Sequence, residues 1–424
     1  MILMKLARKS LLNRKSSVFL SIITIAISVM LLLTIERVRV QAKESFAATV
    51  SGTDLIVGAR SGDIQLLLAS VFRIGHMNNG LSWQSYQDIS AKRGVKWAIP
   101  MSLGDAHKGF AVLGTSSDYF KHFKYGKKQP LTFAQGAAFS HGNEVVLGAH
   151  VASQLGYQLG EQIIVAHGMG NTSFHHHDDN PLKVVGILAA TGTPVDKTLH
   201  VPLIAIAAMH QTGTQLKTNH HDEHEHEHEH HNSEVDLIGE PTQISAFLLG
   251  FESPLYTLQV RRNINTYKAE PLMAIMPGVT LRELWGMLAI IEKLLLLFSA
   301  VVVLVSLLGM LTTLLANLSQ RRRELAILRS VGAKPWHIFS LISLESLFIS
   351  ALATGLGVAL CYLLLFASHP LLQAYAGVAV TIKALSYYEL MLVAGIISAG
   401  WLVGLVPAVR AYFYSLHDGM SIKT

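Results

Sequence analysis

Hydrophobic residues are concentrated in four long runs, one near the start of the chain and three near its end. The runs cover residues 18–35, 294–318, 338–366 and 390–413. A helix needs about 20 apolar residues to cross the roughly 30 Å of hydrocarbon in a bilayer. The pattern therefore predicts four transmembrane helices in a one-plus-three arrangement.

Residues 41–283, between the first two runs, have the mixed composition of a globular domain. Short apolar stretches bounded by Gly, Pro and Asn predict strands, and they cover residues 54–57, 144–147, 162–166, 182–188 and 255–260. Residues 83–92 and 148–155 favour helices. The predicted fold is a membrane protein with four transmembrane α-helices and a large α+β domain inserted between helices 1 and 2.

Lysine and arginine cluster beside the apolar runs. One cluster precedes the first run and another separates the second from the third: Lys5, Arg8, Lys9, Arg14 and Lys15, then Arg321, Arg322, Arg323, Arg329 and Lys334. Such flanks stay in the cytoplasm. Both termini are therefore predicted to be cytoplasmic, and residues 41–283 and 367–389 to face outward. Membrane orientation accounts for the net charge of +6, which does not indicate nucleic-acid binding.

The composition excludes an ordinary soluble enzyme, because half of the residues are hydrophobic, 15% are charged and the mean hydropathy is +0.39. The single cysteine, Cys361, excludes an intramolecular disulfide and a thiolate metal cluster. A cleaved signal peptide is an alternative for the first run, since Ser45, Phe46 and Ala47 have a cleavage-like spacing. The run is longer than a signal core and ends about ten residues before that site, which favours a membrane span.

Small residues recur at a spacing of four in the third and fourth runs. The pairs are Ala351 with Gly355, Ala353 with Gly357, Gly395 with Ala399, and Gly400 with Gly404. This spacing lets helix backbones approach closely in a bilayer. It also arises by chance in spans rich in small residues, so the sequence leaves open which pairs form contacts.

The sequence lacks the usual catalytic motifs. The phosphate-binding pattern G-x-x-x-x-G-K-[ST] is absent, since the nearest Gly-Lys pair, Gly126 and Lys127, has Lys121 in place of the first glycine. G-x-S-x-G and H-E-x-x-H are absent as well. The chain is therefore not expected to hydrolyse ATP through a P-loop. The absence of motifs does not exclude an enzyme, but it removes the usual reasons to propose one.

Two low-complexity tracts are rich in histidine. They contain His175, His176 and His177, then His220, His221, His224, His226, His228, His230 and His231. Alternation of His and Glu cannot form an apolar face, which predicts a solvated loop. Imidazole and carboxylate groups bind zinc, copper or nickel, so a zinc site is one interpretation and a surface expansion without a role is the other. A catalytic metal site would need ligands on rigid elements.

Residues 319–337 form a basic segment between the second and third runs. Leu325, Leu328 and Val331 recur every three residues and predict a short amphipathic helix that Gly332 and Pro335 end. Such a helix would lie along the cytoplasmic surface. The alternative is a basic flank that only fixes the topology.

This segment resembles the loop of the permease subunits in the MacB, FtsX and LolC/LolE group of ABC transporters. Residues 321–333 match the group's pattern R-R-x-E-x-A-x-L-R-x-x-G-A. The one-plus-three layout, the large outer domain, residues 54–59 and the Pro-Ala-Val-Arg-Ala sequence at 407–411 extend the resemblance over the whole chain. Residues 415–420 lack the proline that the group places after the last span.

The resemblance implies a subunit that is not catalytic, pairs with a second permease copy, and binds two copies of a separate cytoplasmic ATPase. A homodimer is expected rather than a heterodimer, and ATP and Mg would be bound by the ATPase. In the group the basic segment contacts that ATPase. The coupling residues are then Arg322, Arg323, Glu324, Leu325, Leu328, Arg329, Gly332 and Ala333.

The implied location is a bacterial inner membrane, with the outer domain in the periplasm. The implied segments are a cytoplasmic N-terminus (1–17), the first span with its stalk (18–40), the periplasmic domain (41–283) and the second span with its stalk (284–318). A cytoplasmic coupling helix (319–337), the third span (338–366), a periplasmic loop (367–389), the fourth span (390–413) and a cytoplasmic tail (414–424) follow. The group acts mechanically on lipoproteins, peptides or partner enzymes, and the histidines suggest a substrate linked to zinc. Membrane lipid is an expected contact.

Two other functions remain open on the sequence. A membrane receptor could sense metal through the histidine-rich loop without an ATPase. A secondary metal transporter would need polar residues near mid-membrane, which the first and fourth runs almost lack. Glu345, inside the third run, would be costly if unpaired.

Overall fold

The computed structural model describes residues 15–75, 77, 79–167, 181–208, 241–320, 327, 330–376 and 383–417, with the backbone alone at residues 15, 166–167, 369–376 and 414–417. The chain forms two compact units. One comprises Met1–Gln41, Leu288–Gln373 and Val380–Thr424, and the other comprises Ala42–Met287 and Ala374–Ala379.

The described helices include α1 (Lys15–Thr49), α2 (Asp63–Leu67, continued as a π-helix over Leu68–Phe72), α3 (Trp83–Ser90), α4 (Asp118–His122), α5 (Ala149–Leu155), α6 (Leu255–Asn265), α7 (Pro277–Gln320), α8 (Pro335–Ala376) and α9 (Tyr387–His417). Helices α1, α7, α8 and α9 are much longer than the other five.

The strands in the described part of the chain all lie between α1 and α7. They are β1 (Leu55–Ala59), β2 (Leu81–Ser82), β3 (Val95–His107), β4 (Phe110–Thr115), β5 (Lys124–Tyr125), β6 (Gln129–Pro130), β7 (Phe133–Gly136), β8 (Glu144–Leu147), β9 (Gln162–Ile163), β10 (Ala166–His167), β11 (Leu182–Leu188), β12 (Thr198–Pro202), β13 (Gln243–Ile244), β14 (Ala246–Phe251) and β15 (Leu272–Ile275).

Eleven of the described strands form one mixed sheet in the order β15-β1-β14-β3-β4-β12-β8-β11-β7, with β10 paired to β3 and β9 to β11. The pairs β4 with β12 and β8 with β11 are parallel, and the other pairs are antiparallel. In β1, Ile56 joins one buried cluster, whereas Leu55 and Val57 join another. Successive side chains of a strand point to opposite faces, so both faces of the sheet are covered. Burial on both faces explains the continuous apolar runs in the sequence.

The prediction of a strand at residues 255–260 is wrong, because this stretch begins helix α6. Thr257, Val260 and Ile264 are buried, a spacing of three and four that belongs to one helix face. β-branched and aromatic residues favour a strand locally. Packing of that single face against the domain decided in favour of the helix.

The four long helices α1, α7, α8 and α9 are each long and apolar enough to span a membrane, and the α/β domain lies between the first and second of them. The predicted fold class is therefore confirmed. Their shared core contains Ile25 and Val29 of α1, Met310 of α7 and Ala353 of α8. In α1, 44% of the apolar window is buried inside the protein, against 17% in α7. Helix α1 therefore lies innermost in the bundle, and α7 presents most of its surface outward.

Two of the four predicted small-residue pairs include glycines at helix contacts. A Cβ on Gly357 would lie 2.7 Å from Val29 Cβ of α1, and a Cβ on Gly400 would lie 2.6 Å from Ser350 Cβ. Gly355 and Gly395 meet no described atom within 4 Å. The common spacing therefore does not distinguish packed glycines from open ones.

Candidate functional site

The turn between α7 and α8 is the described part of the predicted coupling segment. Gly332 and Ala333 are described there, whereas Arg322, Arg323, Glu324, Leu325, Leu328 and Arg329 lie outside the described residues. The Val331 amide donates to the Ile327 carbonyl oxygen at 3.2 Å. Gly332 has φ +100°, a left-handed conformation that glycine adopts at little cost and that commonly ends helices.

Pro335 has a different place from the one expected, since it begins α8 instead of ending the preceding helix. Proline suits a first helical position because its missing N–H has no partner to lose there. The Lys334 amide donates to His337 Nδ1 at 3.1 Å, and the His337 amide donates to the Lys334 carbonyl oxygen at 2.8 Å. These two hydrogen bonds fix the direction in which the turn enters α8.

The turn and the start of α8 expose large apolar side chains. Ile327 is 63% exposed, Val331 82% and Trp336 64%. Trp336 stacks on Phe339 with ring centroids 5.0 Å apart. Several exposed apolar side chains within ten residues are typical of a surface that a partner covers.

A buried cluster lies under this turn and joins three helices. Leu318 comes from the end of α7, Ile338 and Ile342 from the start of α8, and Ala408 and Ala411 from α9. Phe339, on which Trp336 stacks, packs against the same cluster. The cluster therefore joins the adjacent ends of α7, α8 and α9 through direct contacts.

Helices α8 and α9 are in close contact beyond this cluster. Gly404 of α9 lies against Ser346 of α8, where a Cβ at 404 would overlap the serine side chain. Trp401 Nε1 donates to Ser343 Oγ at 2.8 Å. Small residues at the contact bring the two backbones close enough for dispersion and hydrogen bonds to hold them together.

A buried ion pair joins α1 to α9. Arg37 Nε donates to Glu389 Oε1 at 2.8 Å, and each side chain is only 6% exposed. Arg37 Nη2 also donates to Tyr362 Oη of α8 at 2.8 Å, with the guanidinium carbon 4.4 Å from the ring centroid. Glu389 Oε2 in turn accepts from the Ser386 amide at 2.7 Å. One arginine of α1 therefore binds both α8 and the start of α9.

Arg39 forms a second polar link, between α1 and α7. Its Nη2 donates to Glu36 Oε1 at 2.5 Å, and its Nη1 lies 3.6 Å from Glu292 Oε2 of α7. Together, Arg37 and Arg39 connect one segment of α1 to the other three long helices. The pairing of Arg37 with Glu389 was not predictable from a local pattern, because the two residues are 352 positions apart.

The structure does not test the predicted metal site. His175, His176, His177, His220, His221, His224, His226, His228, His230 and His231 lie outside the described residues. Within the described part of the chain, no group of three or more His, Cys, Asp or Glu side chains could hold a metal ion. Glu345, singled out in the sequence, is 3% exposed.

His200 lies in the core of the α/β domain. It is fully buried in β12, with ring centroids 5.2 Å from Tyr119 and 5.8 Å from Phe120. Burial, with the charge of Arg73 as a smaller cause, lowers the pKa of His200 to about 3. The imidazole is therefore neutral in the folded domain at neutral pH.

Acidification should destabilise the α/β domain through His200. In the unfolded chain the imidazole has a pKa of about 6.5. It therefore binds a proton at a pH where His200 of the folded domain is still neutral. Its stabilising contribution is complete above pH 6.5 and is lost as the pH falls from there towards 3, at roughly 1 kcal/mol per pH unit. Hydrogen exchange of the β12 amides between pH 7 and pH 4.5 measures this slope. In His200→Phe the slope should be smaller, and an equal slope in both proteins would contradict the assignment.

Comparisons with known proteins agree with this architecture. A family model of the MacB-like periplasmic core domain matches residues 18–229, half of the chain. A model of the FtsX-like permease C-terminal region matches residues 296–416, which contain the second half of α7, all of α8 and all but the last residue of α9. A search of curated proteins finds no match.

Two solved structures are similar to the chain. The periplasmic region of MacB from Actinobacillus actinomycetemcomitans is 10% identical, with a TM-score of 0.34 over 56% of this chain and 94% of that one. The extracellular domain of the noncanonic ABC-type transporter YknZ from Gram-positive bacteria is 16% identical, with a TM-score of 0.30 over 52% of this chain and 98% of that one. Because the two family models between them match both the inserted domain and the C-terminal helices, the chain belongs to the MacB/FtsX-type permeases of ABC transporters.

Proposed function

We propose that this permease transmits the ATP-driven motion of a separate cytoplasmic ATPase to its α/β domain. The family implies such an ATPase partner. The observation that carries the proposal is the turn between α7 and α8, where Val331 and Trp336 are exposed and Trp336 stacks on Phe339, which packs against a buried cluster shared by three helices. An apolar surface on a rigid base is suited to receive a partner and to move with it.

Two continuous helices provide the path for the motion. Helix α7 runs unbroken over 44 residues, which is about 66 Å at 1.5 Å per residue. Helix α1 is tied to the other long helices through Arg37 and Arg39. Displacement of the turn would therefore shift α7 along its axis and carry α1 with it.

The same proposal sets the location and the topology. The chain is a multi-pass membrane protein, and we place it in the bacterial inner membrane with both termini in the cytoplasm. The basic residues at 321–323 support this orientation, since lysine and arginine flanks stay on the cytoplasmic side. The α/β domain would then be periplasmic. A lipoprotein, a peptide or a zinc-linked cargo as substrate stays a prediction of the sequence.

Helix α7 carries an apolar stripe that suits a second permease copy. Ile291, Leu294, Phe298, Val301, Val305 and Leu308 are all exposed. Their spacing alternates between three and four residues, which is the repeat of paired helices. The proposed homodimer packs along this stripe.

The docking role is tested with the ABC ATPase that copurifies with the chain, in nanodiscs. Val331→Glu and Trp336→Ala should each lower ATPase affinity at least tenfold and remove the permease-dependent stimulation of ATP hydrolysis. Both side chains are exposed, so thermal stability should hardly change. Leu258→Glu is the matched control, because Leu258 is an equally exposed leucine of α6 in the other unit. Undiminished stimulation in both turn variants, or the absence of any copurifying ATPase, would refute the proposal.

A further inference from the structure

An apolar pocket of about 370 Å³ lies in the α/β unit, between the last turns of α1, the first turns of α7 and helix α2. Phe46, Phe72 and Trp285 form its walls. The Phe46 and Phe72 rings have centroids 4.6 Å apart, and Phe46 meets Trp285 edge to face at 5.6 Å. These contacts pack the three rings against one another into a continuous apolar wall.

The rim of the pocket is positively charged. Lys43 Nζ lies 5.5 Å from the ring centroid of Trp285, and Arg282 Nε donates to the Gly278 carbonyl oxygen at 3.2 Å. The described residues that line the pocket include no aspartate or glutamate. Two cationic side chains at the rim of an apolar cavity favour a ligand with an anionic head and an apolar body.

The dimensions of the pocket narrow the choice of ligand. Small-molecule sites occupy about 300–1,000 Å³, and this pocket is at the lower end of that range, too small in volume for even two turns of a helix of about 10 Å diameter. The apolar walls offer a polar solute few hydrogen-bond partners. A single extended alkyl chain fits both the volume and the lining.

We propose that this pocket binds a single-chain anionic amphiphile, with the alkyl chain against the wall formed by Phe46, Phe72 and Trp285 and the head group at Lys43 and Arg282. The inference goes beyond the role in ATPase coupling, because binding requires only this chain. Since α1 and α7 both contribute walls, an occupied pocket holds the ends of these two helices at a fixed separation.

Quenching of Trp285 fluorescence by dibromostearate tests the proposal on the full chain in nanodiscs. Bromine quenches indole fluorescence only at short range, so the wild type should show a saturable component of quenching. This component of the quenching should disappear in Trp285→Phe and persist in Trp83→Phe. A neutral brominated maltoside with a similar chain should bind at least tenfold more weakly. The same component in Trp285→Phe, or equal binding of the neutral chain, would overturn the proposal.

Two further variants separate binding from folding. Lys43→Gln with Arg282→Gln should weaken dibromostearate binding about tenfold or more, and should leave binding of the neutral maltoside unchanged. Ala47→Phe adds bulk to the pocket wall and should abolish both. Circular dichroism and elution volume confirm that each variant is folded. Wild-type affinity for dibromostearate in a folded Ala47→Phe protein would show that the alkyl chain binds outside this pocket.

Discussion

Replacing Glu389 with glutamine should destabilise the helix bundle by about 3–5 kcal/mol, because Arg37 then stays buried without its carboxylate partner. Arg37 and Glu389 are both 6% exposed, and their closest atoms are 2.8 Å apart. A glutamine keeps the size of the side chain and an acceptor for the Ser386 amide, so the start of α9 remains capped. The loss therefore reports on the charge pair. Thermal unfolding of the full chain, followed by tryptophan fluorescence, measures it.

Removing both charges should lower the stability of the helix bundle less than removing one. Replacing both partners of a buried ion pair often leaves the stability unchanged, whereas removing one partner leaves an unpaired buried charge that destabilises the protein. The double variant Arg37→Met with Glu389→Gln should therefore recover much of the lost stability, and the double-mutant cycle gives the coupling energy. Glu292→Gln is the control, since its ion pair with Arg39 is longer, at 3.6 Å, and more exposed. A coupling energy near zero would mean that the pair does not hold α1 to α9.

Gly404→Leu should separate α8 from α9. Any side chain at 404 overlaps Ser346, which is fully buried in α8. Overpacking a tight contact typically costs about 1–3 kcal/mol, and a branched side chain at a backbone contact costs at least the upper part of that range. The expected result is a large fall in the unfolding temperature together with loss of ATPase stimulation, since the cluster under the turn includes Ala408 and Ala411 of the same helix.

A compensating change distinguishes this contact from a general intolerance of helix α9. Gly404→Ala alone should destabilise the protein, and Ser346→Gly should restore stability to the combined variant because it removes the overlapping side chain. Gly395→Ala is the matched control in α9, where a Cβ meets no described atom within 4 Å. Alanine favours a helix over glycine, so this control should be neutral or slightly stabilising. Equal losses at 395 and 404 would contradict the proposed contact.

Both changes act on the rigidity that the coupling role requires. The ion pair fixes α1 to α8 and α9, and the glycine contact fixes α8 to α9. A bundle with packed contacts transmits displacement, whereas a loosened bundle absorbs it. Variants that retain the fold but lose ATPase stimulation would therefore locate the coupling path within these contacts.

Much of the fold was predictable because it depends on consecutive residues. The length of each apolar run predicts a span whatever its neighbours are, and Gly332 marks the end of a helical turn through its own backbone freedom. The loop motif at residues 321–333 indicated the family, which the comparisons support. The roles of the residues within that motif stay predictions.

The site was less predictable, because it depends on which side chains meet. Val331 is exposed, and Trp336 stacks on Phe339, which packs against the buried cluster; the spacing of the segment shows neither. Gly355 and Gly357 are identical residues two positions apart, yet only Gly357 faces α1. Rotation of α8 about its axis decides between them, and no local pattern encodes that rotation.

The sequence by itself determined the four spans, the inserted domain and the basic segment between α7 and α8, since each is a property of residues close together in the chain. Only the tertiary structure decided the helix at residues 255–260, the strand order, the pocket between α1 and α7 and the ion pair between Arg37 and Glu389. These features join residues that are far apart in sequence. Their free energy depends on burial and on the relative orientation of the packed elements, which exist only once the chain has folded.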